Sequence, residues 1–245
     1  MEFNPYEAEW KVERYHWWFS TRRKLLQSLL PVSDPSEDKV GIDMGCGVGS
    51  NLGVLTSGGF KVIGFDRSFD NLRLARNKSS IPLVNADLNN LPVRAGSASF
   101  IAAMDILEHL EDDEKGIREL YRSLREGGLL FLTVPAFGFL WGIQDMVTGH
   151  QRRYVKDEIL TKLRKGNFEI VKSSYFNFFL FFPILVGRCI IRLFDLRIKT
   201  ENEINAPGLN FLFKAIFSIE PPLLKHVSLP FGVSIYCMAR KGKGT

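Results

Sequence analysis

One stretch limits what this chain can fold into more than any other: Val40-Gly41-Ile42-Asp43-Met44-Gly45-Cys46-Gly47-Val48-Gly49-Ser50. A short β-type run ends in an acid, glycines follow at alternate positions, and a helical pattern then resumes. Glycines at this spacing permit backbone angles that other residues avoid, and they let a ligand lie against the main chain. Many tight strand-to-helix turns carry such glycines, so the meaning of the stretch depends on what stands downstream.

Downstream, strand and helix patterns alternate with short connections. Strands are expected at Lys39–Asp43, Lys61–Asp66, Pro82–Asn85, Phe100–Met104 and Leu129–Val134, with helices at Ser50–Thr56, Phe69–Lys78 and Glu111–Arg125. This rhythm predicts an α/β fold with a doubly wound, mostly parallel sheet that binds ligands at the carboxyl ends of its strands. Acids recur at those ends: Asp43, Asp66, Asp87 and Asp105. Each alone is an ordinary loop residue, but together they mark the ligand edge.

An acid after the second strand suits the two hydroxyls of a ribose. The dinucleotide pattern, however, wants a third glycine where Ser50 stands, and a pyrophosphate is repelled by a carboxylate as close as Asp43. That disfavours a nicotinamide oxidoreductase. A cationic ligand without phosphate, such as S-adenosylmethionine, meets both objections.

The residues here resemble the class I S-adenosylmethionine-dependent methyltransferases, in the branch with quinone-pathway and small-molecule enzymes. The resemblance runs over Val40–Pro135. It rests on Ile42-Asp43-Met44-Gly45-Cys46-Gly47-Val48-Gly49, Gly64-Phe65-Asp66, Asn85-Ala86-Asp87-Leu88, the run from Ser99 to Leu110 that contains Met104-Asp105 and Leu107-Glu108-His109, and Leu124-Arg125-Glu126-Gly127-Gly128. It implies a seven-stranded Rossmann-like sheet and a reaction yielding S-adenosylhomocysteine. It further implies that Gly45 and Gly47 pack on the methionine part of the cofactor and Asp66 binds the ribose. Asp87 and Leu88 would meet the adenine, and Met104 and Asp105 would line the transfer site. Asp43 and Arg67, beside these motifs, are counted with the cofactor residues. His109 reads first as a packing residue and second as a base.

The flanks are less determined. Residues 5–30 read as one or two helices rich in aromatics, and Trp18, Arg22, Leu25 and Leu29 share a face. Arg22 either snorkels to water or points over the pocket and holds the cofactor's carboxylate. After the fifth strand, an aromatic loop with Trp141 leads to Asp145 and then His150-Gln151-Arg152-Arg153-Tyr154, where an acceptor would enter. His150 is a candidate base, and Trp141, Arg152, Arg153 and Tyr154 are candidate acceptor contacts. The bland alternative is that Asp145 and the arginines only pin the loop.

A helix is expected over Val155–Lys165, and the last strands at Phe168–Ser174 and Phe231–Ala239. The greasy residues between those strands form either an internal lid or, over 175–194, a helix lying on an anionic membrane with Arg188 and Arg192 at the headgroups. A second apolar helix is expected over Leu209–Ile219.

The chain has 245 residues, 45% of them hydrophobic, which suits one domain with a full core. That domain divides into an aromatic cap (1–32), a cofactor-binding core (39–174), a helical insertion (175–229) and a last strand (230–240). Three scattered cysteines suit a reducing cytosol, and residues 1–4 lack a secretory layout. The location expected is cytoplasmic, with peripheral membrane attachment if the insertion is interfacial. A net charge of +5 is mild and points to no nucleic-acid partner. No metal is expected. The reaction expected is O-methylation of a small or lipid-linked acceptor. The alternative is a membrane-peripheral protein that binds the cofactor without turnover.

Overall fold

A computed structural model describes residues 10–32, 37–195 and 206–242. Among them, the strands are β1 (Val40–Met44), β2 (Lys61–Asp66), β3 (Leu83–Asn85), β4 (Ala98–Met104), β5 (Leu124–Pro135), β6 (Phe168–Phe176) and β7 (Ser234–Lys241). The helices are α1 (Trp17–Leu29), α2 (Leu52–Ser57), α3 (Phe69–Arg76), α4 (Asp113–Ser123), α5 (Ile143–Thr148), α6 (Lys156–Lys165), α7 (Phe181–Leu193), α8 (Pro207–Phe217) and α9 (Glu220–Leu223). The strands form one sheet in the order β3-β2-β1-β4-β5-β7-β6. The strands from β1 to β5 are parallel, and β7 runs antiparallel to both β5 and β6. This is the doubly wound, mostly parallel seven-stranded sheet read from the sequence. Its order reverses between β1 and β4, which opens a crevice at the strands' carboxyl ends.

Alternation along β4 shows how the sheet is covered. Ile101 and Ala103 pack with Ile117 and Leu120 of α4 and Ile159 and Leu163 of α6. Phe100, Ala102 and Met104 face the other way, toward Leu25 and Leu26 of α1, Leu55 of α2, Leu72 of α3 and Phe217 of α8. Successive side chains of a strand point to opposite faces, so a central strand buried on both sides reads as a continuous apolar run.

The flanks differ from expectation in instructive ways. The part of the N-terminal aromatic stretch before residue 10, the loop at 33–36 and residues 196–205 of the insertion lie outside the described residues. In the N-terminal stretch α1 begins at Trp17, where the His16 ring accepts a hydrogen bond from the Trp18 N–H at 3.3 Å. The run 175–194 is not one helix. Tyr175 and Phe176 complete β6 opposite Ile235 and Ser234, because aromatic residues fit a paired strand and β7 supplies the partner. Asn177, at φ 58°, then turns the chain, and α7 starts at Phe181.

Arg188 and Arg192 are corrected with it. Both donate to backbone carbonyls of the aromatic loop, the buried Arg188 to Leu140 and the exposed Arg192 to Trp141. Arg188 is therefore not placed for lipid headgroups. The opposite face of α7 is apolar and exposed, at Phe182, Val186, Ile190 and Leu193. Among the described residues no helix is long and apolar enough to cross a membrane.

Candidate functional site

A cavity of about 520 Å³ opens at the carboxyl ends of β1, β2 and β4. The turn after β1 forms its floor. Gly45 takes φ 71°, a left-handed conformation strained for a residue with a side chain, and a Cβ there would crowd the Ile106 side chain at 2.8 Å. Gly47 takes φ 53°, and its N–H donates to Asp66 at the end of β2, at 2.8 Å. The other Asp66 oxygen accepts from the Ser68 N–H at 2.8 Å. Burial raises the Asp66 carboxyl above its usual range, against these hydrogen bonds. Asp66, Arg67, Asp87, Leu88 and Met104 all line the cavity with the glycines.

Asp43 is placed differently. It is 1% exposed, lies behind the glycine turn and forms no part of the cavity wall. Burial lifts its carboxyl to about 7, although the Arg22 charge acts against that.

Arg22 points over the cavity, as one of its two sequence readings has it. Its guanidinium meets the Asp105 carboxylate at 2.5 Å, and it lies 5.7 Å from the centre of the Trp18 ring. Asp105 itself adopts φ 54°, a left-handed conformation strained for a residue with a side chain. Thr133 at the end of β5 holds it there. Its carbonyl accepts the Asp105 N–H, and its hydroxyl donates to Asp105 Oδ1, both at 3.0 Å.

Across from the glycine turn, β4 and α5 assemble a second group of polar side chains. His150 and Asp145 are joined by a 2.7 Å hydrogen bond at His150 Nδ1. Asp145 also takes Arg153 through two N–H donors, each at 2.9 Å, and the Gly142 N–H at 2.7 Å. Burial pushes the Asp145 carboxyl up, but His150 and Arg153 outweigh it and leave it at about 2. It is thus a fixed negative charge behind the imidazole. His150 Nε2 stands 3.8 Å from Glu108 Oε1. The His109 ring meets the His150 ring edge to face, with centroids 4.7 Å apart. Burial, then the neighbouring His150, lowers His109 to about 4, so the ring is neutral.

Several sequence-predicted acceptor contacts lie elsewhere. Tyr154 is wholly buried, and its hydroxyl donates to Asp113 Oδ2 at 2.9 Å. Its backbone bridges Pro135 and Phe137, which fixes the aromatic loop. Arg152 points away from the cavity and donates to the Glu111 carbonyl at 2.9 Å, with Asp113 at 3.4 Å. Trp141 forms no part of the cavity wall either, and its carbonyl receives Arg192. Of the four, Arg153 alone lines the cavity, while clamping Asp145.

Three features were missed. Asp113, at the start of α4, is 2% exposed and gathers Tyr154, Lys162 and Arg152. Glu108 is fully buried beside the cavity. The cavity roof is apolar, from Trp17 and Trp18 of α1, Pro183, Ile184 and Ile191 of α7, and Phe213 of α8. Only the alternation of Trp17-Trp18 with Arg22 hinted at such a roof.

Residues 42–132 match the methyltransferase domain family. A demethylmenaquinone methyltransferase of Corynebacterium kroppenstedtii is 29% identical over 131 residues, covering 51% of this chain and 53% of that protein. The chain spans a third to a little over half the length of the curated relatives it matches. Among solved structures, an S-adenosylmethionine-dependent methyltransferase from Archaeoglobus fulgidus superposes with a TM-score of 0.60 at 14% identity, over 94% of this chain and 98% of that one. A [4+2]-cyclase, SpnF, superposes with a TM-score of 0.61 at 21% identity, over 93% and 82%. At these identities the structures speak for the fold, and the cyclase illustrates that one fold hosts different reactions.

Proposed function

We propose that this chain, a member of the class I S-adenosylmethionine-dependent methyltransferases by its domain at residues 42–132, binds that cofactor in the cavity and moves its methyl group to an acceptor oxygen. One observation carries the reading. A single cavity is lined by the glycine turn, Asp66, Asp87-Leu88 and Asp105 on one side and by His150 with its Asp145 partner on the other. In this reading Asp66 takes the ribose hydroxyls and Leu88 with Asp87 takes the adenine. The amino-acid end of the cofactor replaces the Arg22–Asp105 pair, its carboxylate on Arg22 and its ammonium on Asp105, each a charge-assisted contact.

The acceptor oxygen attacks the methyl carbon in line with the carbon–sulfur bond. That bond breaks, the sulfonium becomes a neutral thioether, and the acceptor proton passes to His150 Nε2. Asp145 holds the ring by Nδ1 and stabilises the imidazolium that forms. Alignment supplies much of the rate, since the sulfonium is already a good leaving group.

The acceptor we assign is hydrophobic and lipid-borne. The apolar roof favours such a molecule, and the exposed face of α7 suits a lipid surface next to the cavity wall. The relative named for demethylmenaquinone acts, by that name, on a hydrophobic acceptor.

The test has three parts. Calorimetry should show one equivalent of S-adenosylmethionine bound and no heat with a nicotinamide dinucleotide. Mass spectrometry of a lipid extract incubated with protein and cofactor should show a component gaining a methylene mass. His150→Ala should lower turnover by about 10²–10⁴-fold with cofactor affinity kept. Binding with no turnover on any acceptor would leave a cofactor-binding protein and end the transferase reading.

A further inference from the structure

Glu108 is left over by the proposed reaction. Its carboxylate is fully buried, and neither oxygen has a hydrogen-bond partner among the described residues. Burial, with the Asp105 charge beside it, raises this carboxyl well above its usual range, while the Arg22 and Arg153 charges act against that. A carboxyl so placed ionises where a cation pairs with it or binds it as a metal, and two imidazoles stand next to it. A Glu108 oxygen and one ring nitrogen each of His109 and His150 all lie within 4.8 Å of one another. The Asp145 hydrogen bond at Nδ1 leaves Nε2 as the free nitrogen of His150, 3.8 Å from Glu108 Oε1. Nδ1 of His109 is buried without a partner. A carboxylate behind the remote ring nitrogen is how metal-ligating histidines are held in register and made more basic. Here Asp145 is itself locked by Arg153 and Gly142.

We propose that Glu108, His109 and His150 bind a divalent first-row transition cation in the cavity wall, next to Asp105. One carboxylate with two imidazoles selects zinc, cobalt or manganese over magnesium and calcium, which prefer oxygen ligands. Metal–ligand bonds of about 2.0–2.2 Å put tetrahedral donors about 3.4 Å apart, so small side-chain rotations close the cluster. Three protein ligands leave a coordination position open, and the cavity lies on that side.

The consequence for chemistry rests on the proposed methyl transfer. An acceptor hydroxyl at the open position ionises near neutral pH because the cation stabilises its oxyanion, and the proton goes to solvent. The methyl then passes from sulfur to that oxygen, leaving S-adenosylhomocysteine. With the cation bound, His150 is a ligand rather than the proton acceptor. The acceptor class is narrowed to hydroxyl compounds, and a second oxygen on the adjacent carbon would add a chelating contact.

The experiment uses the full chain stripped with EDTA and free of cofactor. Zinc is titrated by calorimetry, and cobalt by its visible absorption. One equivalent should bind. Glu108→Gln and His109→Ala should each weaken uptake by about 100-fold or more. Asp145→Asn, acting through His150, should weaken it by roughly 10–100-fold, and His226→Ala, at an exposed position, should leave it unchanged. Titrating S-adenosylmethionine into the same variants reports whether they fold. If Glu108→Gln does not, His109→Ala carries the test. A stripped protein that binds S-adenosylmethionine but takes up neither cation overturns the metal site and leaves methyl transfer standing. Uptake that survives both ligand substitutions overturns it as well. Cation uptake without cofactor binding would instead sink the transferase reading.

Discussion

Asp66 is tied into the backbone through both oxygens, by the Gly47 and Ser68 N–H groups. It therefore shapes the glycine turn as well as offering an acceptor to a ribose. Asp66→Ala should weaken S-adenosylmethionine by roughly tenfold or more, a charged acceptor being worth about 1.5–3 kcal/mol. Because two backbone donors also lose their partner, the melting temperature should fall too. An unchanged dissociation constant in calorimetry would remove Asp66 from the cofactor site. Asp43 makes a different statement. Its carboxyl is raised from 3.8 to about 7 in the fold, so the native state holds the proton more tightly than the unfolded chain. Stability from this group is therefore full below about pH 4 and is lost as pH rises through about 7, a difference on the order of 4 kcal/mol. Asp43→Asn, which has no charge to bury, should gain stability relative to wild type between pH 5 and pH 8. Equal offsets in urea midpoint at the two pH values would contradict this.

Among the elements, the entry to the insertion is gathered on one buried side chain. Glu220, in α9, accepts hydrogen bonds from the Asn177, Phe178 and Phe179 N–H groups at 2.6, 2.8 and 3.1 Å. Those donors lie in the turn between β6 and α7, whose Asn177 and Phe178 carbonyls accept the Val233 and Phe181 N–H groups. Glu220→Ala leaves three buried or half-buried donors unmet, at a cost on the order of 3 kcal/mol. The melting temperature should drop by about 6–12 °C. The cofactor's dissociation constant should change less than acceptor turnover, because α7 lines the cavity away from the glycine turn. A melting temperature within a degree of wild type would show the turn to be held by other means. The α1 helix is tied to the same region: Trp18 stacks on Phe176 and Phe217, with centroids 5.9 and 5.8 Å apart.

For the whole molecule, the open question is what meets the outward face of α7. Phe182, Val186, Ile190 and Leu193 recur at helical spacing and are 60, 55, 44 and 78% exposed. Binding to vesicles should follow this face and not the arginines. Phe182→Asp/Leu193→Asp should abolish co-sedimentation with vesicles while leaving S-adenosylmethionine affinity intact. Arg188→Glu, by contrast, should lower the melting temperature, since Arg188 is buried against the Leu140 carbonyl. Wild-type protein that ignores neutral and anionic vesicles alike would withdraw the lipid-borne acceptor.

The chain by itself determined the sheet and its ligand edge. Strand periodicity, the glycine spacing at Gly45, Gly47 and Gly49 and the acids Asp66, Asp87 and Asp105 are local signals, written in neighbouring residues. So were most element spans between residues 40 and 134. What tertiary structure decided was the direction of side chains whose partners are distant in the sequence. Arg188 and Arg192 on a greasy helix look like headgroup ligands until the carbonyls of Leu140 and Trp141 are brought beneath them. Arg152 and Tyr154 adjoin His150 in the chain but turn to Asp113, whereas Arg153 between them turns the other way, to Asp145 and the cavity, as side chains alternate about the bridge from Tyr154 to Ala136. Glu108 passes for one more polar residue of a Leu-Glu-His run. Only the fold buries its carboxyl beside two imidazoles, one brought from the far side of β5, and raises it well above the usual carboxylate range, because a carboxyl stripped of water ionises only where a cation can reach it.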